Sequence, residues 1–233
     1  MALQFRIFDS LIIPYGFNTK WDINKIKVKG VDNKATYFES EVPCFYLNTN
    51  NSKPLRIGDI NNISPEIIID FDDPEFQYNK YHNNIDPIKS PILGYLMSKC
   101  ETTKEREFLK IYFEYFSCAE WGYDSKFLLS ALLPIPQAHL YLKDPLKEDE
   151  FHFVSDTAHR IDFLFWTGEK VIAIEIDGDG PSHVNPSNGI AHQHIIRDRR
   201  FQYAGIQIIH ILNSELDGLG WQVLKLLPKE IIS

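Results

Sequence analysis

The chain has 233 residues, 44% of them apolar, and its 24 Lys and Arg against 32 Asp and Glu leave a formal net charge of −8. At roughly 100–200 residues per domain, that length allows one packed domain with a substantial appendage or two small ones. No stretch approaches the ~20 apolar residues of a membrane helix, the opening MALQFRIFDS carries Arg6 and Asp9 unlike a signal peptide, and the acidity argues against coating nucleic acid by bulk charge, so such contact would use local basic patches, a metal or a partner.

Short strand patterns come first: one within Leu3–Ile13, the alternating Lys25–Lys29, then Ala35–Phe38 and Cys44–Leu47. Residues 48–92 hold most of the turn formers, with one strand expected at Glu66–Phe71. Lys25, Lys27 and Lys29 share a strand face. They form either a stripe along a phosphate backbone or the solvated side of an edge strand, where lysines deter sheet-to-sheet pairing. Tyr37, Phe38, Phe45 and Tyr46 suit a local core.

The pattern changes between residues 90 and 101, which sets a boundary: a β-rich region over 1–98, for substrate selection or partner docking, and a second unit over 99–233. Thr102-Thr-Lys-Glu105 has capping-box spacing, and Phe108, Leu109, Tyr112, Phe113 and Phe116 follow at helical intervals. The reading is a helix over 103–118, a short helix over 126–132, a strand over 137–142 and a charged loop over 143–150. Strands at 160–166 and 170–177, a helix near 190–204, a strand at 206–211 and a last helix near 218–227 complete it. That order is α/β.

The two strands at 160–177 flank Gly168-Glu169, a two-residue turn with Gly first, as a type II′ hairpin requires. The turn sets Phe165 opposite Ile172, Phe163 opposite Ile174 and Ile161 opposite Ile176. On the other face it pairs Trp166 with Val171, Leu164 with Ala173, Asp162 with Glu175 and Arg160 with Asp177. A one-residue slip would scramble both faces. Asp162 and Glu175 are then roughly 5 Å apart at Cβ, with Asp177 next on the same face. Like charges so placed favour a divalent cation held by oxygen, Mg²⁺ or Mn²⁺. The alternative has Arg160 neutralising Asp177 and the other two carboxylates at a wet sheet end.

Gly178-Asp-Gly-Pro-Ser-His183 can turn sharply after the second strand. His183 is then either a general acid or base over the carboxylates or a solvated loop histidine. A zinc site from His183, His192 and His194 is poor, because residues two apart on a helix diverge. Cys44, Cys100 and Cys118 are widely spaced and lack a C-x-x-C pair. They argue against a disulfide framework and for a reducing, cytoplasmic setting.

Glu105 on its helix, the Pro136-Gln137 strand opening, R-I-D-F-L-F at 160–165, I-A-I-E-I-D-G at 172–178 and a following histidine resemble the PD-(D/E)XK nucleases. The nearest branch is the very-short-patch-repair-like group, in which E-x-D-G with a nearby histidine replaces E-x-K. The D-G-P-S-H string also resembles the RAP domain, a relative associated with RNA. The resemblance spans roughly residues 100–228 and leaves the first hundred unexplained.

It implies a restriction-endonuclease-like fold, a mixed central sheet flanked by helices, with the β-rich amino-terminal region added. It also implies metal-dependent phosphodiester hydrolysis. Asp162 and Glu175 would be metal ligands, Asp177 would stand at the lysine position as a third ligand, and His183 would be the downstream histidine. Glu105 matches the first-helix glutamate that assists the metal, although its place in a capping box also explains it. The next helix reads His194-Ile-Ile-Arg197-Asp198-Arg-Arg-Phe201-Gln-Tyr-Ala-Gly205, where D-x-x-R-D-x-x-L-x-x-x-G is common. Arg197, Asp198 and Gly205 match, His194 replaces an aspartate, and His210 stands where an arginine is common. Arg197 and Arg200 are a phosphate clamp or an exposed basic turn, and Gln137 is a further candidate for substrate contact.

Two functions follow. The first is a Mg²⁺- or Mn²⁺-dependent endonuclease, acting on DNA before RNA, with restriction or mobile-element defence inferred from the superfamily. Cutting two strands would call for a homodimer or a partner subunit. The second is a non-catalytic nucleic-acid-binding or assembly module on the same fold, with RNA as a ligand.

Overall fold

A computed structural model describes residues 3–5, 10–13, 26–31, 36–40, 53–60, 89–117, 125–142, 159–178, 189–203 and 205–232. The strands expected at 44–47 and 66–71, the charged loop at 143–150, His183, Cys44 and Cys118 lie outside the described residues. Among the described residues no helix is long and apolar enough to cross a membrane.

Among the described residues, eight strands form two sheets. The smaller orders Leu3–Phe5 (β1), Thr36–Ser40 (β4) and Ile26–Val31 (β3), all antiparallel, with a bulge between Val28 and Gly30. The lysine-bearing β3 is thus an edge strand, the place the solvated-edge reading gave it. The larger sheet runs Ser10–Ile13 (β2), Ile135–Leu142 (β5), His159–Trp166 (β6), Val171–Asp177 (β7) and Gln207–Leu212 (β8). Its pairs are antiparallel except β7 with β8, which are parallel and joined through a helix at Gly189–Tyr203. The molecule is therefore mixed α/β, as its element order suggested.

The β6–β7 hairpin closes as the turn chemistry requires. The Thr167 N–H donates to the Lys170 carbonyl at 3.1 Å, and Gly168 sits at φ 94°, where a side chain would strain the backbone. The register follows from Trp166–Val171 through Phe163–Ile174. Phe163 and Phe165 are fully buried against the helix Thr103–Ser117, with ring centroids 5.0 Å from Phe108 and 5.6 Å from Tyr112. The aromatic spacing of that helix is therefore its core face.

Three departures have local causes. A helix at Lys89–Lys99 (α1) occupies the expected boundary, because Pro91 falls in its first turn, where a missing N–H is harmless. Its Ile92 and Leu96, with Cys100 just beyond it, face the core. Counting onward, Thr103–Ser117 is α2, Ser125–Ser130 is α3 and Gly189–Tyr203 is α4.

The last helix expected near 218–227 is instead Asn213–Leu219 (α5), a 3₁₀ turn at Gly220–Leu226 and Lys229–Ile232 (α6). Glu215 starts α5 by accepting the Leu212 N–H at 2.8 Å, and Gly220 at φ 52° ends it. Strand β5 begins at Ile135, two residues early, and its Gln137 adopts φ 54°. Residues from the front of the chain also pack here. The Leu55 N–H donates to the Trp166 carbonyl at 3.1 Å, and the Trp166 indole donates to the Lys53 carbonyl at 2.9 Å.

Emptying the Phe163 site tests this packing. Phe163→Ala is expected to lower the unfolding free energy by about 3–5 kcal/mol, and Gly168→Val by about 1–2 kcal/mol through the turn backbone alone. Urea denaturation reads both, and equal losses would contradict the ranking.

Candidate active site

The hairpin ladder ends at Phe163–Ile174, so the expected pairs Asp162–Glu175, Ile161–Ile176 and Arg160–Asp177 do not form as ladder pairs. The reason is a substitution of acceptors. The Ile176 N–H, which the register would aim at a β6 carbonyl, donates to the Asp162 Oδ2 at 2.8 Å. From there β7 stays paired with β8 alone, Glu175 beside His210 and Asp177 beside Leu212. The two strands fork, with Asp162 on one branch and Glu175 and Asp177 on the other.

Burial dominates the electrostatics of this fork. It pushes Asp162 up to about 6; the Ile176 N–H and Arg160 oppose the rise, while Glu105 and Asp177 add to it. Glu175 is only 7% exposed, and burial pushes it up to about 8. Arg197 opposes that shift, Asp162 and Asp177 reinforce it, and His210 lowers it slightly. The Arg197 guanidinium forms an ion pair with the Glu175 Oε1 at 3.1 Å and lies 5.8 Å from the Phe201 ring centroid. Glu175 Oε1 nonetheless lacks an aligned hydrogen bond, as do the buried Arg197 Nε and Nη2.

His210 lies between two carboxylates, with Nδ1 at 2.5 Å from Asp177 Oδ2 and Nε2 at 3.1 Å from Asp198 Oδ2. A neutral imidazole can donate at only one nitrogen, whereas the protonated ring satisfies both. The Asp177 hydrogen bond accordingly raises the His210 pKa against the opposing effect of burial. Arg160 pairs with Glu101 at 2.5 Å, and Asp177 faces His210.

Glu105 is 3% exposed and does completes the capping box: its N–H donates to the Thr102 Oγ1, and its Oε1 accepts the Thr102 N–H. Its Oε2 accepts the Glu101 N–H at 2.9 Å and the Gln137 Nε2 at 2.7 Å. Both carboxylate oxygens are therefore occupied by donors. Gln137 is aligned with Asp162 in the β5–β6 register, between the paired Pro136–Phe163 and Ala138–Ile161. Its left-handed backbone takes it out of the strand's alternation and lets the amide reach α2.

The structure thus gathers Asp162, Glu175, Asp177 and Arg197, and sets Glu105 with Gln137 beside them. Arg200 lies one turn beyond Arg197 on α4 and has no ion pair among the described residues. His183 lies outside the described residues. His210 and Asp198 belong to the cluster although neither ranked among the candidate site residues; both stand at positions of the motif that the sequence resembles, Asp198 matching it and His210 replacing an arginine.

The fork's carboxylate donors are oxygens, the kind a hard divalent cation takes, and the Glu175 Oε1 is buried without a hydrogen bond although ion-paired with Arg197. Among the described residues, no group of three or more His, Cys, Asp or Glu side chains is arranged to hold a metal ion by itself. Four carboxylates (Asp162, Glu175, Asp177, Asp198) face two cations (Arg197 and protonated His210).

The raised acids predict a pH dependence. Asp162 and Glu175 bind protons in the fold at pH values where the unfolded chain has lost them. Stability should therefore fall as pH rises from roughly 4 toward about 8. His210 contributes in the same direction, its stabilisation being lost as pH rises through its raised value. Glu175→Gln should flatten the fall, as read by melting temperature against pH; an unchanged slope would show that Glu175 is not strained by burial. In a second test, Glu105→Ala should cost about 1 kcal/mol or more for the lost cap, with Glu105→Gln largely preserving it in thermal melts. Compared with protein-family models, curated proteins and solved structures, the chain matched none.

Proposed function

We propose that the chain is a divalent-cation-dependent endonuclease that hydrolyses phosphodiester bonds, in DNA before RNA, on a restriction-endonuclease-like form of the α/β fold. One observation carries this reading: buried Glu175 and half-buried Asp162 stand at the fork of β6 and β7 with Asp177 near them, the pKa of each raised by burial and by the other carboxylates. The ordered motif around them supports it, as does the resemblance to PD-(D/E)XK nucleases.

Asp162 and Glu175 would hold Mg²⁺ or Mn²⁺, with Asp177 beside them. The bound ion would supply Lewis-acid polarisation of the phosphoryl group and a water of lowered pKa. Arg197 keeps its buried Nη2 free of a hydrogen bond, a donor that suits a phosphate oxygen, while its Nε lies 3.5 Å from the Asp198 Oδ1. His210 holds a proton between Asp177 and Asp198, in a site whose motif lysine is replaced by Asp177. His183 is the second proton carrier in this proposal, on its place in the sequence. Defence against mobile elements, as in restriction, rests on the same resemblance.

Supercoiled plasmid, linear DNA, single strands and RNA incubated with Mg²⁺, Mn²⁺ or EDTA test the proposal. Cleavage is expected with either cation and none in EDTA. Asp162→Asn and Glu175→Gln should each lower it by more than the roughly 10–100-fold typical of residues outside the ligand shell. Unchanged cleavage by both variants would reject the assignment. Asp177 at the lysine position favours a second reading, a non-catalytic nucleic-acid-binding or assembly module, and binding without cleavage under every condition would support it.

A further inference from the structure

We propose that the Gln137 side-chain carbonyl is a third, uncharged oxygen ligand of the cation held by Asp162 and Glu175. The inference rests on the cation-binding reading above and adds a residue to it.

The carboxylates do not close the site by themselves, since no group of three or more His, Cys, Asp or Glu side chains among the described residues is arranged to hold a metal ion. A hard cation takes six or more oxygen ligands and accepts amide carbonyls readily. Gln137 lies in register with Asp162 on the neighbouring strand and is 6% exposed. Its orientation is set by chemistry. Glu105, as a carboxylate, only accepts, so the amide nitrogen must face Glu105, as it does at 2.7 Å. The carbonyl Oε1 is left on the opposite side of the amide, buried and without a hydrogen-bond partner.

A buried amide oxygen so abandoned carries an uncompensated desolvation cost, and the residue also holds a left-handed backbone within a strand at φ 54°. Neither feature helps the sheet, whose ladder is interrupted at this residue. Coordination would satisfy the orphaned oxygen and give the backbone distortion a use. Glu105 then acts as a positioning residue: its carboxylate, held by the Thr102 and Glu101 N–H groups, fixes which end of the Gln137 amide is turned away from α2.

Mn²⁺ titration into the full-length protein, followed by electron paramagnetic resonance of the free ion, tests this without any nucleic acid. The variants are Asp162→Asn, Gln137→Leu and the exchange Glu105→Gln with Gln137→Glu. The exchange keeps one amide-to-carboxylate hydrogen bond, retains a side chain that the capping box accepts, and offers the cation a charged oxygen. Gln137→Leu should weaken Mn²⁺ binding about tenfold or more, and the exchange should bind at least as tightly as the native chain. Thermal melts verify that each variant is folded. Native binding that is lost in Asp162→Asn but equal in folded Gln137→Leu would overturn the Gln137 assignment and leave the cation site standing. If Gln137→Leu does not fold, the exchange decides: binding weaker than native overturns the assignment. No Mn²⁺ binding by the native chain would overturn both.

Discussion

Strands β6 and β7 begin as an ordinary hairpin and then part, because one side chain takes over a backbone hydrogen bond. Where the Ile176 N–H would continue the ladder, it meets the Asp162 carboxylate instead. This exchange frees β7 to run on beside β8 alone and brings Glu175 next to His210. It also leaves Asp162 anchored beside the fork, with Oδ2 already committed. The hairpin behind it is fixed by the Gly168 turn and by Phe163 and Phe165 packed on α2, so the fork stands on a rigid base.

Charge follows from that geometry. Burial alone would keep both Asp162 and Glu175 protonated over part of the neutral range, and the neighbouring carboxylates strengthen the effect on each. Arg197 and His210 are the compensating groups, and both arrive through the β7–α4–β8 crossover: Arg197 on the helix and His210 on the strand. The crossover that makes β8 parallel is thus also what supplies the cations. In the proposed reading, a divalent ion would join these cations in compensating the two acids once they ionise.

Much of this could be read from the residues. Alternation around Gly168-Glu169 specified the register because a slip would have exposed half of the apolar side chains, and the aromatic spacing after Thr102 specified the buried face of α2. The end of the ladder was hidden, since alternation is the same whether a strand's N–H meets a carbonyl or a carboxylate. Nothing in a glutamine announces a left-handed backbone, so the route from Gln137 to Glu105 needed coordinates. Pro91 looked like a turn signal, although a proline is equally at home in the first turn of α1. His210 was visible only as a departure from the motif's arginine, and its bridge between Asp177 and Asp198 depends on a parallel pairing that local pattern does not encode.

The central claim is that the fork is a cation site. Crystals grown with Mn²⁺ and measured at a wavelength where manganese scatters anomalously address it most directly. The account predicts an anomalous peak in contact with both Asp162 and Glu175, at about 2 Å as for small hard cations. Saturating Mn²⁺ with no peak at the fork, and Arg197 still seated on Glu175, would contradict it.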